Sequence, residues 1–130
     1  MFNYRNEAAF SNALTKYLRS HHWFVQRIES GQTGRGIPDI YCISPEGHAF
    51  WFELKRMHAT FRKGQWYAIP WRPGQQAWLH SANKYQQQAF TLCCFDNCIA
   101  VIPHNHIYKD GVVSHKDILE YWFSWKDAVK

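Results

Sequence analysis

Nowhere in the 130 residues does an uninterrupted apolar stretch approach the roughly 20 residues that a membrane-spanning helix needs. The N-terminus, MFNYRNEAAF, lacks a basic region followed by an apolar core, so no signal peptide is expected there. Cysteine is scarce. Cys42, Cys93, Cys94 and Cys98 have neither the density of a disulfide scaffold nor a CxxC pair, and they read as reduced thiols of an intracellular protein. Adjacent Cys93 and Cys94 point to opposite faces of a strand, which makes zinc a poor reading even with His104 and His106 nearby. Internal repeats and low-complexity linkers are also missing. The length suits one domain, with a core over about 4–103 and an extension over about 104–130. A hydrophobic content of 46% supports a packed core and excludes disorder.

The most telling absence is acid. From Leu54 to Phe95 there is no Asp or Glu, while Lys55, Arg56, Arg62, Lys63, Arg72 and Lys84 contribute +6. The other nine bases and ten acids leave −1, so the whole excess of +5 lives in this window. The same window holds Phe61, Trp66, Tyr67, Trp71 and Trp78. Bases interleaved with aromatics suit a polyanion with exposed rings of its own, which is nucleic acid. A solvated basic face whose aromatics belong to the core is the plainer alternative.

Periodicity predicts a first helix over Tyr4 to His21, with Phe10, Leu14, Tyr17 and Leu18 forming one apolar stripe. A strand is expected over Trp23 to Glu29, then a glycine-rich loop from Gly31 to Gly36. A hairpin follows: Pro38 to Ser44, a turn at Pro45-Glu46-Gly47, and His48 to Lys55. A long connection, Arg56 to Arg72, leads to a second helix from about Gly74 to Gln88. Phe90 to Phe95 and Cys98 to Ile102 read as short strands. Ser114, with Asp117 three residues on, predicts a capped last helix running towards Ala128. The order indicates an α/β domain with a mixed sheet flanked by helices.

Three acids sit in surroundings wrong for a carboxylate. Glu7 shares the apolar face of the first helix, although taken alone it reads better as a first-turn acid favoured by the helix dipole. Asp39 opens a strand, and Glu53 interrupts the run Phe50-Trp51-Phe52-Glu53-Leu54-Lys55. Alternation puts Trp51, Glu53 and Lys55 on one face, with Phe50, Phe52 and Leu54 on the other. A three-residue turn makes Ser44 face His48, so facing residues sum to 92, as Asp39 and Glu53 do. The two carboxylates would then lie opposite each other with β-carbons about 5 Å apart. Two such charges repel, and a divalent cation between them removes the objection. Hard oxygen ligands suit Mg²⁺ or Mn²⁺. Lys55 reaches the same face, where a cation could orient an attacking water or stabilise charge building on a phosphate.

Gly36-Ile37-Pro38-Asp39, followed fourteen residues later by Glu53-Leu54-Lys55, resembles the signature of the PD-(D/E)XK nucleases. Glu7 resembles the acid of that family's first helix. The stretch Pro73-Gly74-Gln75-Gln76-Ala77-Trp78-Leu79 is similar to the glutamine helix of the VRR-Nuc and archaeal-type Holliday-junction-resolvase branches. The resemblance spans roughly Glu7 to Ile102. It implies a restriction-endonuclease-like core in α-β-β-β-α-β order, here with an added C-terminal helix. It also implies a metal-dependent DNA endonuclease. Asp39, Glu53 and the carbonyl of Leu54 would bind the metal, Glu7 would act directly or through water, and Lys55 would hold the nucleophilic water. Gln75 matches the family glutamine by its offset from Trp78, with Gln76 in reserve. Branched DNA such as a Holliday junction is the leading substrate. Linear, flap or restriction-type sites, or a catalytically silent DNA-binding domain, are the alternatives.

Arg56, Arg62, Lys63 and Arg72 are the expected DNA-facing bases. The glycine loop either lets Arg35 approach the DNA backbone or is an ordinary connector. Paired cuts in a symmetric junction suggest a homodimer. Its candidate patches are the aromatics from Ile118 to Trp125 and the trio Trp66, Tyr67 and Trp71. A small stand-alone nuclease of this kind fits a phage or mobile-element gene by analogy.

Overall fold

The structure, a computed structural model, describes residues 4–28, 36–107, 111–114 and 122–123. Helix α1 runs over Glu7–Ser20. Asn6 starts it, its side chain accepting a hydrogen bond from the Ala9 amide at 2.9 Å and so satisfying one orphan donor. The expected stripe is buried: Phe10, Leu14 and Leu18 are almost fully covered, with Tyr17 partly so. Beyond Ser20 the chain turns, and His22 takes a positive φ of 67° that a helix cannot continue through.

Three strands follow in antiparallel order: β1 (Phe24–Arg27), β2 (Ile40–Ile43) and β3 (Ala49–Arg56). In the hairpin, Ile40 pairs with Phe52, Tyr41 with Trp51, Cys42 with Phe50 and Ile43 with Ala49. This is the expected register. The turn closes with Ser44 accepting from Gly47 N at 2.9 Å and donating to His48 O at 2.8 Å. β5 (Ala89–Cys94) then lies parallel to β3, β6 (Ile99–Pro103) runs antiparallel to β5, and β8 (Trp122–Phe123) pairs with β6. The mixed sheet therefore has the order β1-β2-β3-β5-β6-β8.

Alternation along β2, β3 and β5 divides the interior. Ile40, Cys42, Phe52, Leu54 and Leu92 face α1 and its stripe. On the opposite side Trp51 packs with Leu79 and Ala82 of α2 (Gln75–Lys84) and with Ala89. The order of elements and the two-sided sheet are those of a restriction-endonuclease-like fold.

Two expectations need correction. The connection from Arg56 to Arg72 is not structureless, because β4 (Trp66–Ala68) forms a separate antiparallel pair with β7 (Val112–Ser114). Ser114 therefore ends a strand instead of capping a helix, and Trp122–Phe123 is also a strand. The rest of the expected last helix lies outside the described residues. The second correction concerns the aromatic trio. Tyr67 is buried in the cluster beneath β4, and its hydroxyl donates to Thr60 O while accepting from Arg62 N. Trp71 is half-buried, and only Trp66 is broadly exposed. Among the described residues all four cysteines are buried free thiols, and burial pushes Cys42, Cys94 and Cys98 up to about 12. No described helix is long and apolar enough to cross a membrane.

Candidate active site

Strand β3 delivers the two central groups. Its alternation turns Glu53 and Lys55 away from the α1 core, and both are buried, at 1% and 0% exposure. Such burial demands partners. Lys55 Nζ donates to Pro70 O at 2.9 Å and to Gln75 Oε1 at 2.8 Å, and lies 3.6 Å from Glu53 Oε2. The Trp71 ring centroid is 5.8 Å from the ammonium.

Gln75 opens α2 and is the hinge of the arrangement. Its Nε2 donates to Glu53 Oε2 at 3.0 Å, and its Oε1 accepts from both Lys55 and the Arg72 amide, the latter at 2.7 Å. Every bond fixes the orientation of the side-chain amide, since only the NH₂ end can face the carboxylate. Gln75, not Gln76, is therefore the glutamine that bridges Glu53 and Lys55.

Asp39 stands where the register places it, beyond the Ile40–Phe52 pair and level with Glu53. Its Oδ2 accepts from the Leu54 amide at 2.8 Å. Burial raises the Glu53 carboxyl to about 9. The Asp39 carboxylate adds to the rise, by its charge and by a hydrogen bond with the protonated Glu53 carboxyl, the Lys55 ammonium opposes it, and Glu7 adds least. Glu53 Oε1 is buried and accepts no hydrogen bond from a described residue.

These features bear on a metal. No group of three or more His, Cys, Asp or Glu among the described residues is gathered closely enough to hold one by side chains alone. Glu7 in particular pairs with Arg72, at 3.6 Å. Two adjacent carboxylates, one with a buried oxygen lacking a donor, nevertheless fit a hard divalent cation whose other ligands are carbonyl oxygen and water. The all-oxygen donor set suits Mg²⁺ or Mn²⁺ better than zinc, which favours thiolate and imidazole.

A polar cleft of about 210 Å³ reaches this cluster at Asp39 and Leu54, lined also by Glu7, Ser11, Arg27 and Arg72, while Glu53, Lys55 and Gln75 lie buried behind it. A larger groove of about 570 Å³ along α2, between Trp51, Trp78 and Tyr85, is apolar and holds no acid or base except the Tyr85 phenol.

The expected DNA-facing bases divide sharply. Arg72 is exposed at the cleft, and Arg62 and Lys63 are exposed on the loop before β4. Arg35 lies outside the described residues. Arg56 does not face solvent. It is 7% exposed and bonds Tyr4 O at 2.7 Å, Cys94 O at 3.1 Å and Asp96 Oδ1 at 2.6 Å. One residue along a strand reverses the face, so Arg56 sits on the α1 side with Phe52 and Leu54. Arg27 was not anticipated in the cleft. Pairing of β1 with β2 sets it opposite Ile40, next to Asp39, and Asn12 Oδ1 steadies its guanidinium at 2.7 Å. Extending the hairpin register by one strand would have found it.

No protein-family model and no curated protein matches the chain. Among solved structures it is similar to Hjc of Archaeoglobus fulgidus, a Holliday junction resolvase from an archaeal hyperthermophile. That likeness has a TM-score of 0.65 at 12% identity and covers 95% of this chain and 99% of the resolvase. At such identity what is shared is the fold.

Proposed function

We propose that the chain is a metal-dependent DNA endonuclease of the PD-(D/E)XK type that hydrolyses phosphodiesters in branched DNA. The observation that carries this reading is the buried relay Glu53–Gln75–Lys55 set against Asp39. A fold gains no stability by burying one carboxylate beside another and an ammonium with them. Groups so arranged are explained by work on a charged, reacting ligand. The fold shared with a Holliday junction resolvase supports the substrate class, as does the acid-free basic window.

Asp39, Glu53 and the Leu54 carbonyl would hold Mg²⁺ or Mn²⁺, with Glu7 acting through water. Such a cation supplies Lewis-acid stabilisation of the phosphate and makes a bound water more acidic. Glu53 would hold the cation in its ionised form, its proton passing to solvent, since burial without a compensating charge is what favours the neutral form. Lys55 has three N–H donors and spends two on Pro70 and Gln75. The third lies towards Glu53 Oε2, at 3.6 Å, and would orient the attacking water or the developing oxyanion once the site opens to substrate. Gln75 prevents the ammonium from collapsing onto Glu53, where a tight pair would neutralise both. Arg72 and Arg27 at the cleft would seat flanking phosphates.

The test is nicking of labelled four-way, flap and linear DNA in Mg²⁺ and in EDTA. Cleavage should require the metal and favour the four-way substrate. Asp39→Ala and Lys55→Ala should each lower turnover by at least about 100-fold while DNA affinity stays similar. Undiminished cleavage by folded Asp39→Ala protein refutes the reading. Two symmetric cuts need two such clusters, so the working form is proposed to be a homodimer. Light scattering with and without junction DNA should give a protein mass of twice 15.5 kDa once the mass of the DNA is subtracted. A monomer mass under both conditions, with junction cleavage retained, refutes the dimer.

A further inference from the structure

We infer that two glycines outside the relay, Gly36 and Gly111, are positioning residues that hold Glu53, Gln75 and Lys55 in register by contacts only a glycine permits. The inference rests on the relay being the active site. Both glycines have a positive φ, +82° and +80°. More important is what surrounds them. A Cβ on Gly36 would overlap the carbonyl of Gly74 and approach Gln75 N to 2.9 Å. Gly36 lies three residues before Asp39, and Gly74 is the residue that starts α2. Backbone thus rests directly on backbone where the segment carrying Asp39 meets the helix carrying Gln75. A side chain there would lift the first turn of α2, and with it the amide that bridges Glu53 and Lys55.

Gly111 acts from the far side. Its carbonyl accepts from Trp71 Nε1 at 3.0 Å and from Ile69 N at 3.2 Å. A Cβ would come within 2.6 Å of Trp71 Nε1 and 3.2 Å of Gln76 Nε2. Trp71 is the ring beside the Lys55 ammonium, and Pro70, whose carbonyl accepts from Lys55, lies between Ile69 and Trp71. The β4–β7 pair, which no local sequence pattern predicts, therefore anchors the lysine's cradle through Gly111. Packed side chains transmit such displacements because protein interiors have little free volume.

The test uses Gly36→Ala and Gly111→Ala, with Gly47→Ala as control. Gly47 also has a positive φ, +90°, but nothing lies within 4 Å of a Cβ there, so it reports the backbone strain without the collision. The first readout needs neither metal nor DNA. Modification of Lys55 by an amine-reactive reagent, located by peptide mass spectrometry, is followed beside thiol labelling of Cys42, which is buried in the α1 core. Lys55 should react at least tenfold faster in both variants, with Cys42 unchanged and with Gly47→Ala like wild type. The second readout is DNA cleavage in Mg²⁺, where kcat should fall at least tenfold and KM change less than about twofold. Parallel rises at Lys55 and Cys42 mean general loosening and overturn the inference, as does a Gly47→Ala effect equal to the others. Lys55 protected in both variants also overturns it. If Gly111→Ala does not fold, Trp71→Phe carries the Gly111 arm, since it deletes the bond to Gly111 and adds no atom, and Gly36→Ala alone carries the other. Wild-type protein that cuts no DNA while Lys55 protection follows the expected pattern defeats the nuclease reading and leaves the glycine packing standing.

Discussion

The buried carboxyl of Glu53 makes stability depend on pH in an unusual direction. Its titration is raised from the ordinary 4.5 to about 9, so the folded protein keeps a proton that the unfolded chain releases. Where the folded state binds more protons, stability falls as pH rises. The contribution of Glu53 is complete below about 4.5 and is lost progressively towards 9. One proton's difference is worth about 1.4 kcal/mol per pH unit, so raising pH from 6.0 to 8.5 removes about 3 kcal/mol. For a chain of this length that corresponds to about 10 °C in Tm. Histidine complicates the raw profile. Burial and the nearby His80 lower the His104 titration, and a histidine buried neutral gains stability as pH rises, with the opposite sign. The clean quantity is therefore a difference. Urea unfolding in EDTA at the two pH values should show the stability of Glu53→Gln relative to wild type growing by about 3 kcal/mol between pH 6.0 and pH 8.5. Mn²⁺ at a hundred times its dissociation constant should return about 2.7 kcal/mol to the wild type at pH 8.5 and little to the variant. A wild-type minus variant difference that does not move with pH refutes the account of Glu53.

The arginines should separate by function. Arg72→Ala, and the double change Arg62→Ala with Lys63→Ala, should each weaken DNA binding and lower its salt slope by about one unit for every phosphate no longer neutralised, measured by fluorescence anisotropy over a salt series. An unchanged slope in both would reduce the basic face to solvation. Arg56→Ala should behave differently, costing about 2 kcal/mol in urea unfolding because Tyr4 O and Asp96 lose their guanidinium donor, whereas Cys94 O keeps the Met57 amide. A stability loss below about 1 kcal/mol would contradict the buried placement of Arg56.

Much of this site could be read from local rules alone. Side chains on a strand alternate with a period of two, and a three-residue turn leaves one register, so Asp39 and Glu53 had to face each other once Pro45-Glu46-Gly47 was the turn. Helix period likewise determined the buried stripe Phe10, Leu14 and Leu18. The placement of Arg56 was available by the same alternation, since it shares its face with Phe52 and Leu54. A charge count over a window ignores faces and missed it. Tertiary structure alone decided the remainder. No local rule says that Lys55 is sealed from water, that Gln75 mediates between it and Glu53, or that Arg27 joins the cleft from a third strand. These depend on how α2 and β1 dock, which only long-range packing sets. The β4–β7 pair lies in the same class. Its strands are three residues each, too short for a period to register, and each is defined by a partner remote in the chain. Ser114 with Asp117 satisfies the local pattern of a helix start, yet pairing with Trp66 recruits Ser114 into a strand, because the sheet hydrogen bonds outweigh a capping preference worth about 1 kcal/mol.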